Sequence, residues 1–383
     1  MHSKLPDTGL SIFAVMTQLA NDCGAINLSQ GFPGFNPDPR LLDLVTKYLN
    51  SDANQYAPMS GVPLLRQNIA RKVAELYGRE VDADTEVTVC DGATEGLFST
   101  IQAVIGPGDE VIVFDPAYDS YEPAVTLAGG VTRHLPLVIT DDRPDFHIDW
   151  QNLVDSITAR TRLIILNFPH NPTGAILMEG DLAALADIVR DTAIYLLSDE
   201  VYEHIIFDGY LQQSLMRHDE LWQRAFIISS FGKTYHATGW KVGYCVAPAA
   251  LTTEFRNIHQ WACYSVVTPI QHALADFMEL TPDHYRELPA FYEKKRDRFC
   301  ELVQKSRFTF SPAAGTFFQI LDYSDISEED DVSYSRRLTR EIGVASIPVS
   351  VFCEQVPPGQ KLRFCFAKDD AILEEAANKL CQL

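Results

Sequence analysis

Positive charge is scarce in this sequence. Lysine and arginine number 31 against 52 aspartates and glutamates, so the 383-residue chain carries a formal charge of −21. The field of such a surface repels phosphate. That argues against non-specific binding to nucleic acid or anionic membrane, and a phosphate-bearing ligand must be captured locally. Long apolar runs are also missing, and none reaches the ~18 residues of a membrane span. The stretch "MHSKLPDTGLSIFAVMTQLA" has neither the apolar core nor the small-residue cleavage site of a secretory signal. The eight cysteines form no CxxC pair. Reduced, buried thiols in a cytoplasmic protein are expected rather than a disulfide framework, and no metal site is expected. There is no Walker A motif and no GxGxxG, so ordinary nucleotide loops are not supported. Repeats and low-complexity linkers are absent as well.

What remains is an ordinary globular balance, with 46% apolar and 22% charged residues. Short apolar runs alternate with helical patterns. The strand candidates are "VTVC" (87–90), "VIVF" (111–114), "LIILNF" (163–168), "AIYLLS" (193–198), "AFIISS" (225–230) and "VGYCVA" (242–247). Continuous apolar runs suit strands covered on both faces, and several intervals between them hold a crossover helix. The class expected is α/β with a mostly parallel sheet and helices on both faces. Residues 1–38 are turn-rich and read as an arm packing with a small C-terminal part. Residues 39–275 form the large domain. Residues 276–383 form a smaller α+β domain, with Thr281-Pro282 opening a long helix that runs to about Ser306.

Four polar clusters follow candidate strands, where ligands bind in open α/β sheets. In "CDGATEGLFSTI", Gly92, Ala93 and Thr94 open a helix and offer backbone N–H groups and a hydroxyl to a phosphate. In "NFPHNPTG", the Asn171 amide can donate to a ligand oxygen. In "LLSDEVYEHI", Asp199 ends a buried strand with Tyr202 three residues on. In "SSFGKTYHATGWKVGY", Ser230, Lys233 and Lys241 follow "AFIISS". Each cluster taken singly also reads as a turn or a cap. A lysine beside glycine and aromatics, partly desolvated or near a second cation, is suited to act as a nucleophile. Together the clusters fit pyridoxal 5′-phosphate. That cofactor needs a lysine for its aldehyde, a carboxylate for its ring nitrogen, donors for its ring oxygen, an aromatic on its face and a phosphate cup.

The chain resembles the class I aminotransferases of fold type I, in the branch of kynurenine transaminases and bacterial methionine aminotransferases. The resemblance runs over nearly the whole length. It rests on "NLSQGFP", "NQYAPMSGVPLLR", "DGATEGL", "DPAYDSY", "NFPHNPTG", "SDEVYEHI", "SSFGKTYHATGWKVGY", "GTFF" and "KLRFCFA". It implies that Lys233 takes the cofactor aldehyde and later moves the substrate proton. Asp199 would pair with the ring nitrogen, Asn171 and Tyr202 with the ring oxygen, and Tyr118 would stack on the ring. Gly92, Ala93, Thr94, Ser230 and Lys241 would form the phosphate cup. Many relatives carry arginine at the position of Lys241, and lysine serves a phosphate as a point charge. Arg363 would clamp the substrate carboxylate, although the alternation of Leu362, Phe364 and Phe366 leaves a solvated strand arginine open. Gly31 would admit the substrate. Phe32, Tyr118, Tyr264 and Phe352 are the side-chain pocket candidates. Tyr56 would reach the phosphate in the neighbouring subunit of a homodimer. The implied reaction moves an α-amino group from methionine, an aromatic amino acid or kynurenine to a 2-oxo acid. The same scaffold also carries carbon–sulfur β-lyases and regulatory cofactor-binding modules.

Overall fold

The computed structural model describes residues 3–6, 8–140, 143, 145–355 and 359–383. Twelve strands in chain order begin with β1 (Ile26–Asn27), β2 (Val87–Cys90), β3 (Glu110–Asp115) and β4 (Val131–Pro136). They continue with β5 (Thr161–Asn167), β6 (Tyr195–Asp199), β7 (Ala225–Ser230) and β8 (Gly243–Val246). The last four are β9 (Phe318–Asp322), β10 (Val344–Ala345), β11 (Ile347–Pro348) and β12 (Lys361–Cys365). The main sheet has seven strands in the order β2-β8-β7-β6-β5-β3-β4. Only β8 runs against the others, pairing antiparallel with both β2 and β7. The chain leaves β3 for β4 on one side and crosses to β5 on the other. The C-terminal ends of β3 and β5 therefore flank the switch point at which open α/β sheets hold ligands. Because β8 is reversed, its first residues lie at that same edge.

The strands β5, β6 and β7 are continuous apolar runs because both faces are covered. One face packs with the helices Pro63–Tyr77, Glu179–Val189 and Thr268–Leu280. The other packs with Gly92–Val104, Tyr121–Ala128 and Ala249–Ala262. A second core gathers Phe207, Tyr292, Phe299, Phe317, Phe318, Tyr323, Tyr334 and Phe364 around the antiparallel sheet β11-β12-β9. β1 pairs in parallel with β10, so residues 26–27 join the chain's beginning to its C-terminal part.

Some expectations shift. β4 was not foreseen, because it is an edge strand whose residues "VTRHLP" are mostly half-exposed and polar. Residues 12–23 of the arm form a helix, capped by Ser11 and closed by Gly24 in the left-handed region. The long C-terminal helix starts at His284, not at Thr281. Thr281 closes the preceding helix Thr268–Leu280, its hydroxyl donating to Phe277 O at 2.7 Å. Ala275, Phe277 and Met278 pack in the large core. The division drawn between 275 and 276 therefore falls inside a helix, and we propose to draw it at residues 281–283. All eight cysteines are free, and four are buried. No helix of the described residues is long and apolar enough to cross a membrane.

Candidate active site

The switch point opens on a cavity of about 320 Å³. Its wall includes Gly31, Gly92, Ala93, Thr94, Tyr118, Asn171, Asp199, Tyr202, Ser230, Lys233, Lys241 and Arg363. All of these stand out in the sequence, and they come from separate stretches of chain.

Asp199 is the last residue of β6 and is buried. Tyr121 Oη donates to its carboxylate at 2.7 Å, and the Val201 N–H lies at 3.4 Å. Among the described residues no cation pairs with it. Burial pushes the carboxyl up to about 6. Asn167, at the end of β5, donates to Asp199 O at 3.1 Å and accepts from the Asn171 N–H at 3.0 Å. The loop that carries Asn171 is thus pinned to the strand that carries Asp199.

Lys233 lies in the short helix Phe231–Thr234, which Ser230 caps by accepting from the Gly232 N–H at 3.1 Å. Its Nζ donates to Gly31 O at 2.8 Å and stands over the rings of Tyr202 and Phe317 at 5.3 and 5.2 Å. Burial, aided by the positive charges of Arg363 and Lys241, pushes the amine down to about 8. Lys241 takes a left-handed backbone, φ 53°, just before β8. A Cβ at Gly92 would come within 3.0 Å of Lys241 Nζ, so glycine is what lets this cation reach the helix start. The first-turn N–H groups of Gly92–Val104 have no acceptor within their own helix. Lys241 and the hydroxyls of Ser230 and Thr94 border them in the cavity wall. Local positive charge is therefore concentrated at one end of the cavity of a strongly acidic protein.

Arg363 lies in β12 and is fully buried, which removes the reading of a solvated strand arginine. Nη1 donates to Asn171 Oδ1 at 2.8 Å and Nη2 to Ser29 O at 2.6 Å. Its Nε has no partner among the described residues. The guanidinium lies 3.9 Å over the Phe318 ring and 5.1 Å over that of Phe13. Burial lowers it to about 10. A buried cation whose partners are all neutral, with a donor left over, is suited to receive a carboxylate.

Four candidates lie outside the cavity wall. Tyr56 is 82% exposed and packs edge-to-face on Tyr264, itself 58% exposed, at 5.4 Å. Phe32 is partly exposed beneath the Lys368 ammonium. Phe352 is buried against Phe13 at 5.6 Å. Phe13, Gln30, Asn167 and Phe318 line the cavity without having been anticipated. Phe13 belongs to the arm helix, whose apolar spacing at 12, 13, 16, 19 and 20 carried the signal. Asn167 opens "NFPHNPTG", in which Asn171 alone drew the functional reading.

A profile of the family "Aminotransferase class I and II" matches residues 24–380. The chain is 48% identical to a methionine aminotransferase of Escherichia coli over 381 residues, covering 100% of this chain and 98% of that one. It is 34% identical to a kynurenine–oxoglutarate transaminase of Dictyostelium discoideum, covering 98% and 94%. A solved structure from Escherichia coli, described as having a methionine aminotransferase function, superposes with a TM-score of 0.97. It is 48% identical and covers 100% of this chain and 99% of that one.

Proposed function

This chain belongs to the class I and II aminotransferases, in their fold type I architecture, and we propose that it transfers the α-amino group of methionine, an aromatic amino acid or kynurenine to a 2-oxo acid with pyridoxal 5′-phosphate as cofactor. One observation carries the reading. A partly buried lysine whose amine is lowered to about 8 and a fully buried arginine whose Nε has no partner among the described residues open into the same cavity.

The residues fit the cofactor by charge and by space. Ala93, Thr94, Ser230 and Lys241 would hold its phosphate at the helix start, where Gly92 leaves room for the lysine. Asp199 accepts from a phenol and pairs directly with no cation among the described residues, so a cationic ring nitrogen would supply the charge that its burial lacks. Tyr118 would cover the ring, and Asn171 and Tyr202 would face the ring oxygen. Bound, pyridoxal 5′-phosphate supplies an aldehyde to take the amino group and a ring to take the electrons of the Cα–H bond. Asp199 would keep the ring nitrogen protonated. Arg363 would receive the substrate carboxylate and fix the direction of the Cα–H bond. Lys233, whose amine burial lowers to about 8, would remove the Cα proton and return it to the cofactor as base and then acid.

The substrate class follows from the walls and the relatives. Phe13, Tyr118 and Phe318 offer aromatic surface beside Arg363, and among the described residues of this chain the cavity wall holds no second arginine for a side-chain carboxylate. A pocket of this kind separates similar apolar side chains weakly. We further propose a cytoplasmic homodimer in which Tyr56 crosses to the partner's phosphate site, consistent with its exposure and its packing on Tyr264. An amino-donor panel with one fixed 2-oxo acid tests the reading. Methionine, phenylalanine and kynurenine should give the matching 2-oxo acids, and aspartate little. Release of pyruvate and ammonia from cysteine conjugates, with no amino transfer, would contradict it.

A further inference from the structure

One residue back from the cavity wall lies a second buried polar cluster. Glu203 Oε1 accepts from Lys72 Nζ at 2.7 Å and from Tyr244 Oη at 2.6 Å, and it also takes the Ser229 hydroxyl. Its Oε2 takes the Tyr77 phenol. Lys72 Nζ also reaches Tyr244 Oη and stands 3.3 Å from His204 Nε2. The side chains of Lys72 and Glu203 are 5% and 2% exposed. Burial opposes the Glu203 charge, but the Lys72 ammonium and the surrounding donors outweigh it and hold the carboxyl below its ordinary range. Such a pair is weak ground for stability, because well-packed apolar residues of the same volume often do as well or better. Lost partners, by contrast, leave an uncompensated charge. The cluster therefore constrains geometry more than it adds stability.

The strand register shows which geometry. Ser229 pairs with Tyr244 across β7 and β8, and the next rung pairs Ser230 with Gly243. Successive side chains on a strand point to opposite faces. The 229/244 rung turns into the cluster, and its neighbour, 230/243, lies toward the cavity. Gly243 is packed so closely that a Cβ there would stand 2.6 Å from Ser229 O and 2.9 Å from Ala93 N. Glu203 directly follows Tyr202 in the turn that leaves β6. Tyr202 and Ser230 are each bonded covalently to a residue of the cluster, and the Ala93 N–H packs on Gly243, the residue before Tyr244.

We propose that Glu203, paired with Lys72, is a positioning residue that locks the ends of β6, β7 and β8 together and so sets the phosphate-holding geometry at Ser230 and Ala93. The inference rests on the pyridoxal 5′-phosphate reading above. Tyr77 binds the same carboxylate from the helix Pro63–Tyr77 and not from β6, β7 or β8 or the turn after β6, which makes Tyr77→Phe the structural control. The full-length wild type, Glu203→Gln, Tyr244→Phe and Tyr77→Phe are dialysed to equilibrium against graded pyridoxal 5′-phosphate, and separately against inorganic phosphate, well below their melting temperatures. Glu203→Gln and Tyr244→Phe should raise both dissociation constants about tenfold or more, the scale usual for residues that orient a site's direct ligands. Tyr77→Phe should lower the melting temperature and leave both constants at the wild-type values. Wild-type constants in folded Glu203→Gln or Tyr244→Phe would overturn the proposal. If Glu203→Gln does not fold, Tyr244→Phe decides alone. A wild type that binds no pyridoxal 5′-phosphate sinks the cofactor reading itself, an outcome distinct from unchanged variants beside a binding wild type.

Discussion

The Asp199 carboxyl is pushed up by burial, from 3.8 to about 6, with a phenol and one backbone N–H as its donors. An acid raised in this way opposes folding over a definite range of pH. Below about pH 4 it is protonated in both folded and unfolded chains and costs nothing. Above about pH 6 it must ionise inside the protein, and the cost is fully present. A rise of that size corresponds to roughly 3 kcal/mol. Asp199→Asn keeps an acceptor for Tyr121 and removes the charge. We predict that it stabilises the cofactor-free protein by up to about 3 kcal/mol near pH 7, with the gain vanishing below about pH 4, while transamination falls steeply. Urea denaturation at several pH values checks this. A variant less stable than the wild type at pH 7 would show that the carboxylate is satisfied within the chain. Arg363 is the matching cation, buried with neutral partners. Both residues were legible in the sequence, Asp199 as a carboxylate ending a strand and Arg363 as a cation within one, but their burial was not. Alternation along "KLRFCFA" placed Arg363 on the other face from Leu362 and Phe364, yet only the fold could make that face interior.

Elements were legible where their pattern was strong and isolated. β2, β3, β5, β6, β7 and β8 match apolar runs because each is covered on both faces. β4 escaped because an edge strand needs apolar residues on few of its positions, and "VTRHLP" shows no clean alternation. The arm helix had its cap at Ser11 and its stop at Gly24, but the turn formers of "SQGFPGFNPDP" drew the whole segment into one class. Thr281-Pro282 has the form of a helix start. The chain uses it instead to stop one helix, and Asp283 begins the next. A local signal of this kind does not say on which side of it the helix lies. The four cavity motifs were readable because each follows a strand ending at the same sheet edge. Phe13 was not, because it arrives from the arm.

At the scale of the whole molecule the sheet gathers Lys233, Asp199, Asn171 and the helix start at Gly92 around one cavity, and β12 brings Arg363 to meet them. One residue proposed for the phosphate site, Tyr56, lies outside this cavity's wall and is 82% exposed. Trp261 and Val267 are also exposed, at 85% and 44%, in the stretch that carries Tyr264. A surface of exposed aromatics suits a partner subunit. If Tyr56 completes the partner's site, Lys233→Ala and Tyr56→Ala lie in different halves of each composite site. Mixing the two impaired variants under subunit exchange should then restore about a quarter of wild-type turnover, because half the dimers are hybrids and each hybrid keeps one intact site. Turnover no greater than the sum of the separate variants would place Tyr56 outside the partner's site.

Of the lysines, Lys233 is the one we propose to bond the cofactor. That role is tested most directly by reducing the purified protein with borohydride, digesting it and mapping the modified lysine by mass spectrometry. A pyridoxyl group is expected on Lys233 and is expected to be absent from Lys233→Ala. A pyridoxyl group on Lys241 or another lysine, or none in a protein that transaminates, would contradict it.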